Sequence, residues 1–393
     1  ISAGIDVYVV KKEDQRSGRE TIGTVSRLLT KSSYHPRGIK VMLTSGVVGR
    51  VTRFPDDNVP RNDNNNIQKK KKISLSDYLK EEEVDEHLSR VIDAAAAACC
   101  QVANELRNLP MLDDINEDSG GINVQGEEQK GMDVRANIIF LQKLNPVVAS
   151  MVSEEEVLVV GTNGDMKYSI AFDPLDGSSN LDITSPTGSI FGIYRHKNNG
   201  VNGSCFEIPA RSSLVAAGYT VYSSATELVL AGLGKGVVGF SLDIEDDTFR
   251  CSRPNIVCPD RGPYYSLNDA REPDWPSGLR RWITDAKRGQ TPSGYKYSAR
   301  YVCSLTADVH RILLKGGWAG NPRPHLRLLY ESAPLAFILE SAGGKGVDGV
   351  SNLLDIKPNN LHHRVSTFLG SKLDIDDLKA YGSIQQNSKS YES

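Results

Sequence analysis

Residues Tyr168 to Asn180 read YSIAFDPLDGSSN, a mostly apolar strand that ends in two aspartates three apart, followed by a glycine, two serines and an asparagine. Carboxylates at the end of a buried strand are costly unless they are paired or metal-bound. The segment therefore calls for a sheet whose strand end opens on a polar site. Asp173 and Asp176 are hard oxygen ligands suited to a small divalent ion such as magnesium. Gly177 lets the backbone approach a phosphate, and Ser178, Ser179 and Asn180 are natural caps for a helix N-terminus, whose N–H groups attract anions. A plain surface turn would use the same residue types, but it gives no reason for the apolar strand that runs into it. Metal and phosphate held by one segment predict phosphate ester hydrolysis.

The remainder of the chain is compatible with that chemistry and excludes others. With 393 residues, 39% hydrophobic and 24% charged, it is long enough for a large core or two lobes. A net charge of −3 gives no bulk attraction to nucleic acid or to an anionic membrane surface. No apolar run approaches the roughly 20 residues of a membrane span. Lys69 to Lys72 is the one dense basic cluster, and it lacks aromatic neighbours for stacking on bases. The expected partners thus include neither nucleic acid nor membrane. The six cysteines form no CxxC pair and no metal-finger spacing, which predicts a reducing compartment and mostly buried thiols.

Residues 1–72 differ in character from the rest of the chain. Arg16 to Arg53 contains eight basic residues and one acid, Glu20, with serine and threonine between them, as organelle transit peptides do. Asp6, Glu13 and Asp14 run against that pattern. Asn62 to Asn66 and Lys69 to Lys72 read as a polar linker. The expectation is an N-terminal extension over 1–72 and a plastid location, with the cytoplasm as alternative. Beyond it, Val84 to Leu109 carries apolar residues at helical period. Strands at Val157–Val160, Leu214–Val221 and Val237–Leu242 then alternate with helices at Ala307–Leu314 and Ala333–Ser341, which predicts an α/β chain in layers.

One aspartate pair is insufficient for hydrolysis, which needs charge neutralisation, a base and donors to hold the ester. Further acids lie at Asp133 in GMDV, in the run Ser153-Glu154-Glu155-Glu156 after an apolar stretch, and at Glu331 after Leu328-Leu329-Tyr330, read as a strand. Taken singly, a charge run is a solvated loop and Glu331 a strand-end surface acid.

Together the spacings resemble the fructose-1,6-bisphosphatase family from Ile73 to about Tyr381, most closely its plastid-type, class 1 members. The resemblance is carried by Asn123–Val134 (NVQGEEQKGMDV), Ser153–Glu156, Lys167–Arg195, Ala299–Arg311 (ARYVCSLTADVHR), Leu326–Gly346 and Leu353–Arg364. It implies a layered α-β-α-β-α sugar phosphatase fold, with the metal site in a lobe over 73–256 and a sugar-phosphate-binding lobe and tail over 257–393. It implies that Glu154, Asp173, Asp176, Glu331, the carbonyl of Leu175 and Glu127 bind two or more Mg²⁺, with Mn²⁺ as a substitute. Asp133 and Glu155, beside Glu154, would then activate water. Gly177, Ser178 and Ser179 with Arg327 would hold the departing phosphate. Asn268, Tyr301 and, from a neighbouring subunit of a homo-oligomer, Arg300 would hold the far phosphate of a sugar bisphosphate.

Several sugar-pocket positions depart from the family. His325 stands where a lysine is usual, Asn321 and Arg271 where tyrosines are usual, and Leu305 where methionine is usual. Sedoheptulose 1,7-bisphosphatase is therefore the alternative activity, and a catalytically poor sugar-phosphate-binding paralogue the alternative role. Lys167, Tyr168 and Arg195 match part of the family's AMP site, but the helix near Glu81–Arg90 lacks its glycine- and threonine-rich half, so AMP inhibition is expected to be weak or absent. The segment His196–Arg211, which matches the regulatory loop of plastid members, holds only Cys205. Thioredoxin control would need a distant partner such as Cys251 or Cys258.

Overall fold

The computed structural model describes residues 2–14, 19–30, 38–54, 72–109, 131–156, 160–161, 166–196 and 204–386. The chain forms two compact units, Ile1–Lys70 and Lys71–Ser393.

In the first unit, β1 (Asp6–Lys11), β2 (Glu20–Leu28), β3 (Lys40–Leu43) and β4 (Val48–Arg53) close into an antiparallel barrel. Its core is Val7, Val9, Val25, Ile39, Val41, Leu43 and Val51. Gly49 is required at the closure, since a Cβ there would lie 2.8 Å from that of Val9. Arg16–Arg53, whose composition resembles a targeting segment, therefore holds three strands of a folded barrel. Composition averages over the strand period: Val25, Val41 and Val51 turn inward while Arg27, Lys40 and Thr52 stay outside. Of the polar linker, only Lys72 lies within the described residues.

The second unit opens with α1 (Leu75–Glu81), α2 (Glu86–Asn108) and α3 (Gly131–Leu144). Eight strands follow: β5 (Ser150–Ser153), β6 (Val160–Gly161), β7 (Tyr168–Asp176), β8 (Thr187–Arg195), β9 (Leu214–Tyr222), β10 (Thr226–Ala231), β11 (Val237–Asp243) and β12 (Thr248–Ile256). They pair in the order β12-β11-β10-β9-β8-β7-β5-β6. Next come β13 (Tyr264–Ser266), α4 (Ser277–Arg288), β14 (Ser298–Ala299), α5 (Leu305–Lys315), β15 (Trp318–Arg327), α6 (Ala333–Ser341), β16 (Lys345–Val347), β17 (Arg364–Gly370) and α7 (Lys372–Ala380). These strands make a second sheet in the order β14-β13-β15-β17-β16.

Three apolar clusters separate five layers. The first joins α1, α2 and α3 to one face of the large sheet. The second fills the space between the sheets around α5 and α6, and the third lies between the small sheet and α4 with α7. This is the α-β-α-β-α arrangement. With both faces of the sheet covered, β7 and β8 are buried almost throughout. Tyr168, Ile170 and Phe172 pack toward α2 and α3 while Ala171 joins the middle layer, so strand alternation turns Asp173 toward the middle layer as well.

The strand read from Tyr168 runs through FDPLD to Asp176 as β7, whose ladder with β8 shifts register between Asp173 and Asp176. Two local expectations are corrected. The cap of the following 3₁₀ turn, Ser178–Ile183, is Gly177 at φ 75°, with no side-chain capping bond from a serine or asparagine. Leu328–Ser332 is a π-helical turn rather than a strand, the wide turn that carries Glu331. The strand expected at Val157–Val160 falls largely outside the described residues.

Candidate active site

The C-terminal end of β7, the start of α5, the end of β15 and the π turn after it enclose a cavity of about 490 Å³. Of the residues singled out from sequence, Asp133, Glu154, Glu155, Asp173, Leu175, Asp176, Gly177, Ser178, Ser179, Asn268, Arg271, Tyr301, His325, Arg327 and Glu331 all line it. Asn321 and Leu305 do as well. Arg300 does not: it is exposed, donates to its neighbour's carbonyl, Ala299 O, at 2.7 Å, and lies 5.7 Å from the centre of the Tyr264 ring. Glu127 lies outside the described residues.

Four carboxylates converge on the cavity from different elements, and all are nearly buried: Glu154 is 9% exposed, Asp173 3%, Asp176 9% and Glu331 3%. Burial and then the charge of Glu331 push Glu154 up to about 8. Burial and then Glu154 hold Asp173 well above the usual carboxylate range. These two side chains are within hydrogen-bond reach of each other. Arg327 offsets part of the charge: its Nη2 lies 2.8 Å from Glu154 Oε1, and its backbone N–H donates to Glu331 Oε2 at 2.6 Å.

Asp176 is committed differently. Its Oδ2 accepts from Ser304 Oγ at 2.8 Å, Thr306 N at 2.9 Å and Thr306 Oγ1 at 2.8 Å, while among the described residues Oδ1 accepts only from Leu305 N, at 3.2 Å. The end of β7 thus caps the N-terminus of α5, and Oδ1, with one such bond, keeps lone-pair capacity on a residue that lines the cavity. Among the described residues no three His, Cys, Asp or Glu side chains are grouped closely enough to hold a metal ion as they stand. The donor set nonetheless fits a hard divalent cation, being hard oxygens, nearly dry, and repelling one another beyond what one guanidinium offsets.

Gly177 is held against the same helix start, where a Cβ would fall 2.9 Å from Ser304 Cβ. Asn180 fastens the turn by donating to Pro186 O at 2.9 Å and Val302 O at 3.1 Å. Glu155 follows a braced corner in which Ser153 Oγ donates to Asn137 Oδ1 at 2.7 Å. Sequence reasoning missed Ser304, Thr306, Asp308 and Arg323, which also shape the site. Asp308 accepts from Val302 N at 3.1 Å, and burial raises its pKa to about 7. Ser304 followed by an acid four residues on was the available signal, a helix N-cap.

Two further segments that the resemblance singled out are also placed. Lys167 pairs with Asp85 at 3.1 Å, and Tyr168 hydrogen-bonds the same carboxylate, which caps α2. Cys205, Cys251 and Cys258 are buried free thiols, and Cys303 is exposed on the cavity wall.

A layered α/β fold whose strand end sets buried carboxylates beside a glycine-capped turn, at the mouth of one cavity, defines a phosphoric monoester hydrolase. Family models described as the N-terminal and C-terminal domains of fructose-1-6-bisphosphatase match residues 71–254 and 258–383. The chloroplastic fructose-1,6-bisphosphatase of Brassica napus is 40% identical over 323 residues, covering 76% of this chain and 78% of that protein. The class 1 enzyme of Cytophaga hutchinsonii is 38% identical over 315 residues, 76% of this chain and 89% of its own length. The crystal structure of Leishmania major fructose-1,6-bisphosphatase in holo form matches with a TM-score of 0.74 at 32% identity, covering 79% of this chain and 98% of that one. The chain belongs to the fructose-1,6-bisphosphatase family. Residues 1–54, the barrel, match a separate model described as an uncharacterized conserved protein, DUF2196.

Proposed function

We propose that this chain hydrolyses the 1-phosphate of fructose 1,6-bisphosphate to give fructose 6-phosphate and phosphate. The observation that carries the reading is the set of buried carboxylates, Glu154, Asp173, Asp176 and Glu331, around one cavity beside the Gly177 turn. A binding-only protein has no physical need to hold so many acids against their mutual repulsion. Two or more Mg²⁺, held by these four with the Leu175 carbonyl and Glu127, or Mn²⁺ in their place, would supply neutralisation of the phosphoryl oxygens and a more acidic water. Asp133 and Glu155 would orient the attacking water and take its proton as its oxygen bonds to phosphorus; the bond from phosphorus to the sugar oxygen then breaks and the proton passes to that departing oxygen. The N–H groups of Gly177 and Ser178, the Ser179 side chain and Arg327 hold the departing phosphate. Asn268, Arg271, Tyr301 and His325 lie along the rest of the cavity, where the sugar and far phosphate would rest.

His325 and Asn321 in the sugar region support sedoheptulose 1,7-bisphosphate as the second substrate to test. Relatives named chloroplastic support a plastid location, and bacterial class 1 relatives support the cytoplasmic alternative. The deciding measurement is phosphate release from both bisphosphates, with Mg²⁺ and with chelator. Release from fructose 1,6-bisphosphate only with Mg²⁺, lost by at least about 10³-fold in Asp173→Ala, is the expected result. No release from either sugar would leave the binding-only paralogue, and full activity in Asp173→Ala would refute the metal assignment.

A further inference from the structure

His325 sits where β15 leaves regular pairing: the register with β17 shifts between Asn321 and Leu326, and beyond the shift Arg327 pairs with Arg364. Such irregularities re-aim side chains. Here the shift sets the imidazole against the guanidinium of β17. Arg364 Nη1 lies 3.3 Å from His325 Nδ1 and 3.5 Å from His325 O, so one nitrogen grips both ring and backbone. A guanidinium can only donate and stays charged at any physiological pH. Nδ1 must therefore accept, which leaves the ring proton on Nε2 and sets donor against donor if the ring takes a second proton. The other charged groups lining the same cavity are Arg271, Arg323 and Arg327, which also disfavour an imidazolium, and the carboxylates Asp133, Glu154, Glu155, Asp173, Asp176, Asp308 and Glu331, which favour one. Glu331 is already engaged by the backbone of Arg327.

From this geometry we infer that Arg364 is a positioning residue that fixes His325 as a neutral Nε2–H donor to the sugar. The claim rests on the substrate reading above and sharpens it. A neutral donor reads a hydroxyl or ring oxygen of the sugar, where a lysine would add charge and favour any anionic group nearby. Affinity for the bisphosphate is then weaker than a lysine would give, but His325 adds no pH dependence of its own.

Two readouts test this. In the full chain labelled with ¹⁵N-histidine, with the His325 signals assigned by their loss in His325→Gln, wild type should show the Nε2–H tautomer and no protonation between about pH 8 and pH 6. In Arg364→Gln the ring should titrate near its ordinary value, roughly 6.5. Arg364→Lys, still an obligate donor, should keep the neutral form. In kinetics on fructose 1,6-bisphosphate, Arg364→Gln should raise KM about threefold near pH 8 and lose that deficit near pH 6, relative to wild type at each pH, with the larger part of the effect in KM rather than kcat. His325→Lys should lower KM about tenfold. A wild-type His325 that titrates normally, or a variant-to-wild-type KM ratio that is flat with pH, overturns the inference. Absence of turnover in wild type would sink the substrate reading, while the NMR comparison would still decide the role of Arg364.

Discussion

At the scale of single residues the site is a store of unfavourable charge. For a carboxylate raised above its ordinary value, the folded state holds its proton more tightly than the unfolded chain does. Its contribution to stability is therefore greatest at low pH and is lost as pH rises from the unfolded value to the folded one. With Glu154 at about 8 against an ordinary 4.5, that window runs from about 4.5 to 8, and Asp173 shifts in the same direction. The chelated protein should thus melt progressively earlier between about pH 5 and pH 8. Asp173→Asn removes the second raised acid, the one that the charge of Glu154 opposes as it ionises, so it should flatten this decline and raise the chelated melting temperature near pH 8 by on the order of 5 °C. It should also reduce the further rise that Mg²⁺ gives the wild type. Thermal melts of both proteins across this range, with chelator and with Mg²⁺, check the point, and parallel pH dependences would refute it. These acids were legible in sequence because each follows an apolar run that has no other use for a charge. Ser304 and Thr306 were not, because their partner Asp176 lies 128 and 130 positions away and only the fold brings them together.

At the scale of elements, the join between β7 and α5 controls the site. Gly188 on β8 stands opposite Asp176 in the ladder, and Thr306 of α5 lies directly above it. A Cβ at Gly188 would fall 2.1 Å from Thr306 Oγ1 and 2.5 Å from the Thr220 carbonyl. The Thr220 oxygen is fixed in β9 and cannot yield as a flexible side chain would, so β8 must move, and Asp176 opposite Gly188 moves relative to α5. Gly188→Ala should cost about 1–3 kcal/mol, read as a lower urea midpoint at unchanged slope. It should also lower kcat, because the same shift releases Asp176 from Leu305 and Thr306. Unchanged stability and activity together would show that α5 is not seated as described. Helical and strand periods made α2, α5, α6, β9 and β11 legible to within a few residues. The π turn at Leu328–Ser332 was not, because three apolar residues before an acid fit a short strand equally well. The barrel was missed for a different reason, since its basic outer face dominates the composition from which the segment was judged.

At the scale of the whole molecule, one residue remains outside its own site. Tyr301 lines the cavity while Arg300, its neighbour, is turned away and exposed beside Tyr264. If Arg300 holds the far phosphate, it can do so only in the cavity of another subunit. In a closed two-fold pair each subunit then lends its Arg300 to the other. Arg300→Ala should raise KM by roughly ten- to a hundredfold, the loss of one charge-assisted bond. Asp173→Ala kills the site in its own subunit but leaves Arg300 intact for the partner's. Refolding equal amounts of the two variants together should give hybrids in half of the pairs, each with one complete site, and hence roughly a quarter of wild-type activity at low substrate. Each variant refolded alone should stay near its own low level. Recovery in the mixture, with sedimentation showing a dimer or larger, would establish that the functional unit is shared between chains. Absence of recovery despite a demonstrated oligomer would place Arg300 outside the reaction.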